Sequence, residues 1–340
     1  MKAIIIREPG IVESVEIPDP VVSDESILIK VSALGLCGSD LTTYRGLNPM
    51  VSYPRIPGHE IAGTIVAAGK SVPDRYATGL QVTVVPYTAC GTCTACIHGR
   101  VNCCRYNQTL GVQRDGAATE YIAIPWQKVI PAESLSREQT VLIEPLSVGY
   151  HATERGRVKQ EDTVLVFGCG MIGLGAVAAA TEKGARVIAV DIADDKLEKA
   201  RMLGASHIVN TSHQSIHEAL EELTGGNGAD VVIEAIGLAE TFVDAVECAC
   251  FGGRVVYIGY AKNPVTFDTK VFVSKELDIL GSRNARHEDF QAVITFLSRG
   301  MFDAKTVITK QFELDACGEA LAIWDRNPAT VTKLILTDTQ

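Results

Sequence analysis

Hydrophobic and polar positions divide this chain into two stretches with different patterns. Up to about residue 143, short runs rich in β-branched residues are bounded by glycine and proline, as in LQVTVVP and ATEYIAIP, which is typical of strands joined by turns. From about residue 144, apolar runs alternate with helical segments, and we identify six strand candidates from DTVLVFG to LDILGS. Apolar strands that alternate with helices predict a parallel sheet covered on both faces. After about residue 284 the pattern predicts one more helix and a last strand, VTKLILT.

Length, charge and hydropathy narrow the range of functions. The 340 residues predict two domains or one large one, with enough chain for a substantial core. A formal net charge of −10 repels phosphates and argues against a nucleic-acid partner. No apolar stretch approaches the roughly 20 residues of a membrane span, and the apolar run in MKAIIIREPG is too short for a signal peptide. We therefore expect a cytoplasmic protein that binds small molecules and copies of itself.

A glycine-rich turn follows the first strand of the second stretch. It reads GxGxxG, it opens a helix, and an acidic residue, Asp191, ends the next strand. Glycines in this context let a pyrophosphate approach the helix N-terminus, whereas the plain alternative is a tight turn that only packs. Asp191 would bind ribose hydroxyls and repel a 2′-phosphate, so we expect NAD rather than NADP. The residues that we assign to this turn are Gly168, Gly170, Met171, Ile172 and Gly173.

Five cysteines lie in the fifteen residues CGTCTACIHGRVNCC. In a reducing compartment disulfides are disfavoured, and closely spaced thiolates can surround one Zn²⁺ tetrahedrally. An iron–sulfur cluster has similar ligands, but nothing else in the chain indicates electron transfer. The C-x2-C-x2-C-x7-C spacing assigns Cys90, Cys93, Cys96 and Cys104 to a structural zinc, although spacing alone leaves Cys103 as an alternative to Cys104. The cysteines that we expect in the core are Cys169, Cys248, Cys250 and Cys317.

A second set of possible metal ligands lies outside this lobe. Cys37 stands in GLCGSD, His59 and Glu60 stand in PGHEIAG, and Glu144 stands in LIEPLSVG. Each residue alone also fits a buried thiol, a core histidine or a helix-terminal charge. Beside a nicotinamide, a zinc ion with an open position would polarise an alcohol oxygen and lower its pKa.

Together these motifs resemble the zinc-dependent medium-chain alcohol dehydrogenase family over essentially the full length. GLCGSD, PGHE, the four-cysteine lobe, LIEPLSVG and GxGxxG occur in the family's order and at its spacing. EPLSVG followed by His151-Ala152 resembles the polyol (sorbitol-type) branch. YRG-NP, YPR-x-x-GHE and GSRN are similar to sugar-acid relatives of the L-gulonate and L-galactonate 5-dehydrogenase type.

The resemblance implies an α/β fold with two domains. A β-rich GroES-like catalytic domain would comprise residues 1–146 and 285–340, with the zinc lobe at about 88–106. A Rossmann domain with a doubly wound parallel sheet would comprise residues 147–284. Relatives form homodimers and homotetramers, and LDILGS could pair across a two-fold axis.

The resemblance also assigns roles around two zinc ions per chain. It implies a catalytic zinc held by Cys37, His59 and Glu60, with Glu144 binding directly or through water, and it selects Cys104 for the structural zinc. Ser39 matches the hydroxyl that takes the substrate proton, and Asp40 would support the ligands. Relatives often carry a histidine three residues after that serine, where this chain has Thr42.

Further positions match the family's cofactor contacts. Lys196 corresponds to a basic residue near the adenosine ribose. Ile258, Gly259 and Ser282 correspond to backbone contacts on the nicotinamide side. Arg283 would face the cleft and could pair with a substrate carboxylate, or it could form a domain-closing salt bridge.

The sequence therefore predicts NAD-dependent oxidation of a secondary alcohol in a sugar acid to a keto acid. Within the same class, polyol and L-threonine dehydrogenation are alternatives. A non-catalytic zinc- or nucleotide-binding protein on the same fold is a second alternative, and a zinc-free quinone reductase relative is a third.

Overall fold

The structure is a computed structural model that describes residues 1–300 and 302–338. Its strands are β1 (Lys2–Glu8), β2 (Ile11–Glu16), β3 (Ser26–Leu36), β4 (Glu60–Ala68), β5 (Gln81–Val84), β6 (Tyr121–Pro125), β7 (Val129–Pro131), β8 (Thr163–Phe167), β9 (Arg186–Asp191), β10 (His207–Asn210), β11 (Ala229–Glu234), β12 (Ala249–Tyr257), β13 (Asp278–Gly281), β14 (Ile308–Glu313) and β15 (Lys333–Thr337). Its helices are α1 (Gly38–Tyr44), α2 (Thr94–Ile97), α3 (Arg137–Val141), α4 (Ile143–Arg155), α5 (Met171–Glu182), α6 (Asp194–Met202), α7 (Ile216–Thr224), α8 (Ala239–Glu247), α9 (Lys270–Ser274), α10 (His287–Ser298) and α11 (Cys317–Arg326). No helix among the described residues is long and apolar enough to cross a lipid bilayer.

Two compact units make up the chain. The terminal unit comprises Met1–Glu144 and Ile294–Gln340, and the central unit comprises Pro145–Val293. The domain boundaries expected from the sequence, 146/147 and 284/285, stay a prediction.

The terminal unit is built on a seven-stranded sheet. Its order is β14-β15-β3-β4-β5-β7, with β6 also paired to β3, and a separate β1–β2 hairpin. Apolar side chains from β3 and β4 fill its core, because these strands are buried over most of their length.

Strand register brings distant parts of the chain to one end of this sheet. β3 and β4 run antiparallel with Gly35 opposite Glu60, and β15 runs antiparallel to β3 with Leu334 opposite Leu36. The residues that follow β3, precede β4 and begin β15 therefore meet.

The central unit is a six-stranded parallel sheet of order β10-β9-β8-β11-β12-β13. The chain moves outward from β8 to one edge and then returns to build the other, which is the strand order of a Rossmann fold. All six predicted strands are present, so the doubly wound parallel sheet is confirmed. In such sheets ligands bind beyond the carboxyl ends of the strands.

Candidate active site

Three potential metal ligands converge at the end of the terminal unit's sheet. One ligand atom each from Cys37, His59 and Glu60 lies within 4.8 Å of the others. We call these three residues the mixed cluster. Sulfur, imidazole nitrogen and carboxylate oxygen are the donors that Zn²⁺ takes in proteins, so the chemistry of the cluster fits that ion.

A buried carboxylate ties together the two loops that carry the first two ligands. Cys37 caps the start of α1. The fully buried Asp40 carboxylate accepts hydrogen bonds from the backbone N–H groups of Cys37 (2.8 Å) and Gly58 (3.2 Å). Burial raises the pKa of Asp40, although the two N–H donors and the nearby His59 oppose this effect. Asp40 thus fixes the loop before His59 against the turn that holds Cys37.

The imidazole of His59 lies in a setting that suits a metal ligand. The residue is buried, and its Nδ1 atom has no hydrogen-bond partner among the described residues. Burial acts to lower the pKa of His59, but Cys37, which shares a hydrogen bond with it, and the Glu144 carboxylate raise that pKa well above its usual value. A buried ring nitrogen that has no hydrogen-bond partner among the described residues is available to bind a cation.

Glu60 has a counterion that we did not predict. The Lys333 ammonium donates to both carboxylate oxygens of Glu60, at 2.7 and 2.6 Å, and to the carbonyl of Leu36 at 3.1 Å. Burial works to lower the pKa of Lys333, yet the charge of Glu60 raises it overall. The signal in the sequence is a single lysine inside the apolar strand VTKLILT, because a buried lysine needs an acidic partner.

Glu144 occupies a different position from Glu60. It stands at the start of α4, accepts a hydrogen bond from the buried hydroxyl of Tyr87, and lies outside the 4.8 Å group. Burial raises the pKa of Glu144, against the lowering effect of His59. The geometry therefore favours Glu60 over Glu144 as the carboxylate of the mixed cluster. Tyr87 was missed because neither a motif nor its position in the sequence marked it, whereas Lys333 was missed although its place in an apolar strand marked it.

The hydroxyl groups after Cys37 point in different directions. Ser39 Oγ is buried and has no hydrogen-bond partner in the described part of the chain. Thr42 Oγ1 instead donates to the Ser39 carbonyl at 3.0 Å, as Thr43 Oγ1 does at 2.8 Å. Thr42 is therefore turned back toward its own helix, whereas Ser39 retains an unused hydroxyl.

The four-cysteine lobe forms a compact set of thiols. The sulfur atoms of Cys90, Cys93, Cys96 and Cys104, which we call the thiolate cluster, lie within 4.8 Å of one another. Backbone N–H groups point at these sulfurs: Cys90 N–H donates to Cys104 Sγ and Cys93 N–H donates to Cys90 Sγ, both at 3.3 Å. Hydrogen bonds from Thr92 and Cys93 lower the pKa of Cys90 to about 6. Burial raises the pKa of Cys96 to about 11, so it is the closely spaced set of four sulfur donors that fits a tetrahedral zinc.

Cys103 does not join the thiolate cluster. Its sulfur accepts a hydrogen bond from the Arg100 guanidinium at 3.7 Å. Geometry thus makes the choice between Cys103 and Cys104 that the spacing left open. Among the cysteines assigned to the core, Cys169, Cys248 and Cys317 are buried, whereas Cys250 is half-buried.

In the central unit, the glycine-rich turn is shaped for close packing. Gly168 has φ +92°, and a Cβ added at Gly173 would lie 1.7 Å from the Gly168 carbonyl oxygen. Asp191 ends β9 and accepts hydrogen bonds from the N–H groups of Cys169 (2.8 Å), Ile192 (2.8 Å) and Ala193 (3.1 Å). α5 begins at Met171 after Gly170. The turn and the predicted ribose carboxylate are therefore adjacent.

The other predicted cofactor residues follow strands of the same sheet. Ile258 and Gly259 follow β12, and Ser282 and the exposed Arg283 follow β13. Lys196 lies half-buried in α6, after β9. Because the strands are parallel, all these positions lie toward the ligand-binding edge.

Glu234 is a further residue at that edge and was not predicted. It ends β11 and is fully buried, and its Oε1 accepts from the N–H groups of Ile236 (2.9 Å) and Gly237 (2.8 Å) and from the Thr241 hydroxyl (2.8 Å). Its Oε2 has no partner among the described residues and packs where a Cβ at Gly259 would come within 2.4 Å. Glu234 therefore fixes the loop after β11 beside the loop after β12.

Comparison with known proteins identifies the family. The sequence model of the alcohol dehydrogenase GroES-like domain matches residues 23–134, and that of the zinc-binding dehydrogenases matches residues 172–299. The chain is 35% identical to L-galactonate-5-dehydrogenase of Escherichia coli K12 over 94% of both proteins. The chain belongs to the zinc-binding alcohol dehydrogenase family.

Other members of the zinc-binding alcohol dehydrogenase family are similar throughout their length. Sorbitol dehydrogenase of Bacillus subtilis is 36% identical over 94% of this chain and 92% of its own. The structure of the alcohol dehydrogenase RspB from Escherichia coli CFT073, solved with NADH, superposes with a TM-score of 0.92, at 32% identity and 99% coverage of both chains.

Membership confirms several predictions for this chain. It is an NAD-dependent zinc alcohol dehydrogenase with zinc and NAD as cofactors, and it combines a GroES-like domain with a Rossmann sheet. The donor sets of the mixed cluster and the thiolate cluster suit one zinc ion each. The roles of individual residues stay predictions that the geometry supports.

Proposed function

We propose that this enzyme oxidises a secondary alcohol of a sugar acid of the L-gulonate or L-galactonate type to a keto acid, with NAD⁺ as hydride acceptor. The similarity to L-galactonate-5-dehydrogenase, at 35% identity over 94% of both chains, supports this substrate class. The observation that carries the chemistry is the convergence of the half-buried Cys37 with the buried His59 and Glu60 within 4.8 Å.

In the proposed mechanism, the mixed cluster holds the catalytic zinc. When bound, zinc supplies a Lewis acid that lowers the pKa of the substrate hydroxyl. Lys333 neutralises Glu60 and keeps its carboxylate in place through two hydrogen bonds. Tyr87 orients Glu144 nearby.

Ser39 relays the proton of the substrate hydroxyl: its Oγ accepts that proton and releases its own hydroxyl proton. Its Oγ has no other partner among the described residues and stands two positions after Cys37. Thr42 does not pass the proton on, because its hydrogen is already donated to the Ser39 carbonyl. The proton then leaves through water or a ribose hydroxyl of the cofactor.

Arg283 recognises the carboxylate of the sugar acid in this proposal. A guanidinium binds a carboxylate through two parallel hydrogen bonds, a geometry that an ammonium does not reproduce. We expect Arg283→Ala to lower kcat/KM for L-gulonate or L-galactonate by about 100-fold, equivalent to about 2.7 kcal/mol, and to leave sorbitol unaffected. Arg283→Lys is the matched variant and should recover only part of the loss.

A panel of L-gulonate, L-galactonate, sorbitol and L-threonine, each assayed with NAD and with NADP, tests the substrate class. Turnover of a sugar acid that depends on Arg283 supports the proposal. Sorbitol as the best substrate, with equal losses on all substrates in Arg283→Ala, would replace it by polyol oxidation, which the 36% identity to sorbitol dehydrogenase favours.

We also propose a homodimer built through β13, with a homotetramer as the larger alternative. β13 is an edge strand of the central sheet, and Ile279 on it and Val273 on the preceding helix, α9, are exposed apolar side chains. Exposed apolar edge strands tend to pair with another chain. Light scattering after gel filtration should give a dimer or tetramer for the wild type and smaller species for Ile279→Lys; a monomeric wild type contradicts the proposal.

A further inference from the structure

Two helices of the central unit bring together three metal-ligating side chains that the proposed reaction does not use. His217 lies on α7, and Asp244 and Glu247 lie on α8. One ligand atom from each residue lies within 4.8 Å of the other two. The side chains of His217, Asp244 and Glu247 are 49%, 21% and 52% exposed, so an ion from solution has access to them.

The distances from the His217 ring nitrogen to the two carboxylates are longer than good hydrogen bonds and match the spacing between two ligands of one metal ion. His217 Nε2 lies 3.4 Å from Asp244 Oδ1 and 3.6 Å from Glu247 Oε2, whereas N–H···O bonds are mostly about 2.7–3.2 Å long. Zinc bonds of about 2.1 Å in a tetrahedron separate neighbouring ligands by about 3.4 Å. One ion placed among the three atoms would bind all of them, but a single imidazole proton can satisfy only one carboxylate well.

The fold also holds the ligands in a fixed orientation. Asp244 and Glu247 stand three residues apart and therefore share one face of α8. His217 Nδ1 lies 4.0 Å from the sulfur of the buried Cys248, so the opposite ring nitrogen, Nε2, faces the two carboxylates. With its proton on Nδ1, the neutral imidazole presents the lone pair of Nε2 to a metal ion.

Lys275, a positive charge near these carboxylates, donates its hydrogen bonds to backbone carbonyls. Its ammonium donates to the backbone carbonyls of Glu247 (2.7 Å) and Ala249 (2.8 Å), which closes the end of α8. The positive charge thus supports the helix end, while the two carboxylates keep their oxygens directed at His217.

We propose that His217, Asp244 and Glu247 form a surface site for an additional divalent transition-metal ion of the zinc type, with water completing its coordination. The imidazole nitrogen favours zinc, cobalt or nickel over magnesium and calcium, which prefer all-oxygen sites. A bound ion would cross-link α7 to α8 and stabilise this side of the central unit.

Calorimetric titration of Zn²⁺ into the zinc-loaded full-length protein tests the site. The wild type should bind one more equivalent than His217→Ala, with an affinity at least tenfold higher than any binding left in that variant. His213→Ala is the matched control, because it removes an exposed histidine four residues away and should behave as the wild type. Both substitutions lie on the surface, and comparison of thermal unfolding without added zinc checks that they fold.

A Mg²⁺ titration separates this site from a merely acidic patch. We expect no displacement of the additional zinc at millimolar Mg²⁺. Equal zinc binding by wild type and His217→Ala, absence of an extra equivalent in the wild type, or loss of the ion to Mg²⁺ would each overturn the proposal.

Discussion

The mixed cluster and the thiolate cluster both suit zinc, but the chain builds them in different ways. The thiolate cluster takes four identical donors from one segment of fifteen residues, and Cys90 is exposed. The mixed cluster takes three kinds of donor from the ends of two strands, and both His59 and Glu60 are buried. Four thiolates close a tetrahedral site, whereas three protein ligands leave a position for substrate. The difference separates a site for stability from a site for chemistry.

The residues that hold the ligands in place also differ between the two clusters: they are local in the thiolate cluster and distant in sequence in the mixed cluster. Backbone N–H groups within the lobe hold the thiolate cluster. Distant residues hold the mixed cluster: Asp40 through two N–H donors, and Lys333 through Glu60. We therefore expect damage to the thiolate cluster to appear as lost stability and damage to the mixed cluster as lost turnover.

Substitution within the mixed cluster should have the largest effect. Cys37→Ser is expected to lower kcat/KM at least about 1000-fold, because the loss of a ligand removes the ion that acidifies the alcohol. Zinc content should fall by one ion per chain, with little change in the unfolding temperature. Steady-state kinetics on the best alcohol of the panel and metal analysis measure both. Cys103→Ser, outside both clusters, is the control; full activity in Cys37→Ser would remove the mixed cluster from the mechanism.

Lys333→Met breaks the buried ion pair of the mixed cluster. Loss of one partner leaves the Glu60 carboxylate uncompensated, so the free energy of unfolding of the metal-free protein should fall by about 3–5 kcal/mol. The loss should be smaller in the zinc-loaded protein if the ion also binds Glu60. Denaturant unfolding with and without zinc measures this difference, and Lys333→Arg should retain most of the stability. An equal loss of unfolding free energy in the metal-free and zinc-loaded proteins would argue that Glu60 pairs with Lys333 and does not bind the zinc ion.

Substitution within the thiolate cluster should act on stability. We expect Cys93→Ser to lose one zinc ion and to lower the unfolding temperature by about 10 °C, because metal binding supplies folding free energy. The kcat of the molecules that remain folded should stay within about threefold of the wild type. Calorimetry and active-site-normalised kinetics test this, again beside Cys103→Ser. A selective loss of kcat with unchanged stability would give the lobe a catalytic role.

The features that could be predicted from the sequence are those whose residues lie close together along the chain. The thiolate cluster and the glycine-rich turn were predictable because their residues lie close together and their spacing carries the geometry. The six parallel strands were predictable because strands buried on both faces are continuous apolar runs. The contacts of Lys333 with Glu60 and of Tyr87 with Glu144 were not predicted, because they join residues that lie far apart in the sequence. A search for charged residues inside apolar strands would have found Lys333.

Two buried carboxylates, Glu60 and Glu234, extend the comparison to the central unit. Glu60 has a lysine partner, whereas the partners of Glu234 among the described residues are N–H and hydroxyl donors, which hold the loop after β11. Ile236 in that loop packs close to Gly168 of the glycine-rich turn, where an added Cβ would come within 2.7 Å of its side chain. Release of this loop should therefore weaken NADH binding.

Glu234→Ala is expected to raise the Kd for NADH about tenfold, or about 1.4 kcal/mol. Glu234→Gln, which keeps an accepting oxygen, should stay within about threefold of the wild type. Fluorescence titration of NADH measures both variants without a known alcohol, and zinc content serves as the check on folding. If Glu234→Ala binds NADH as the wild type does, the loop does not depend on this carboxylate.

The smallest effect should come from Thr42, at the position where relatives often carry a histidine. We expect Thr42→Ala to change kcat less than about twofold, because its hydroxyl donates to the Ser39 carbonyl and Thr43 makes the same contact. Ser39→Ala should lower kcat about 100-fold, as loss of a group that relays a proton usually does. Single-turnover rates of NADH formation compare the two variants. An equal fall in kcat in Thr42→Ala and Ser39→Ala would place Thr42 on the proton path. The proton would then leave Ser39 through the position at which relatives often carry a histidine.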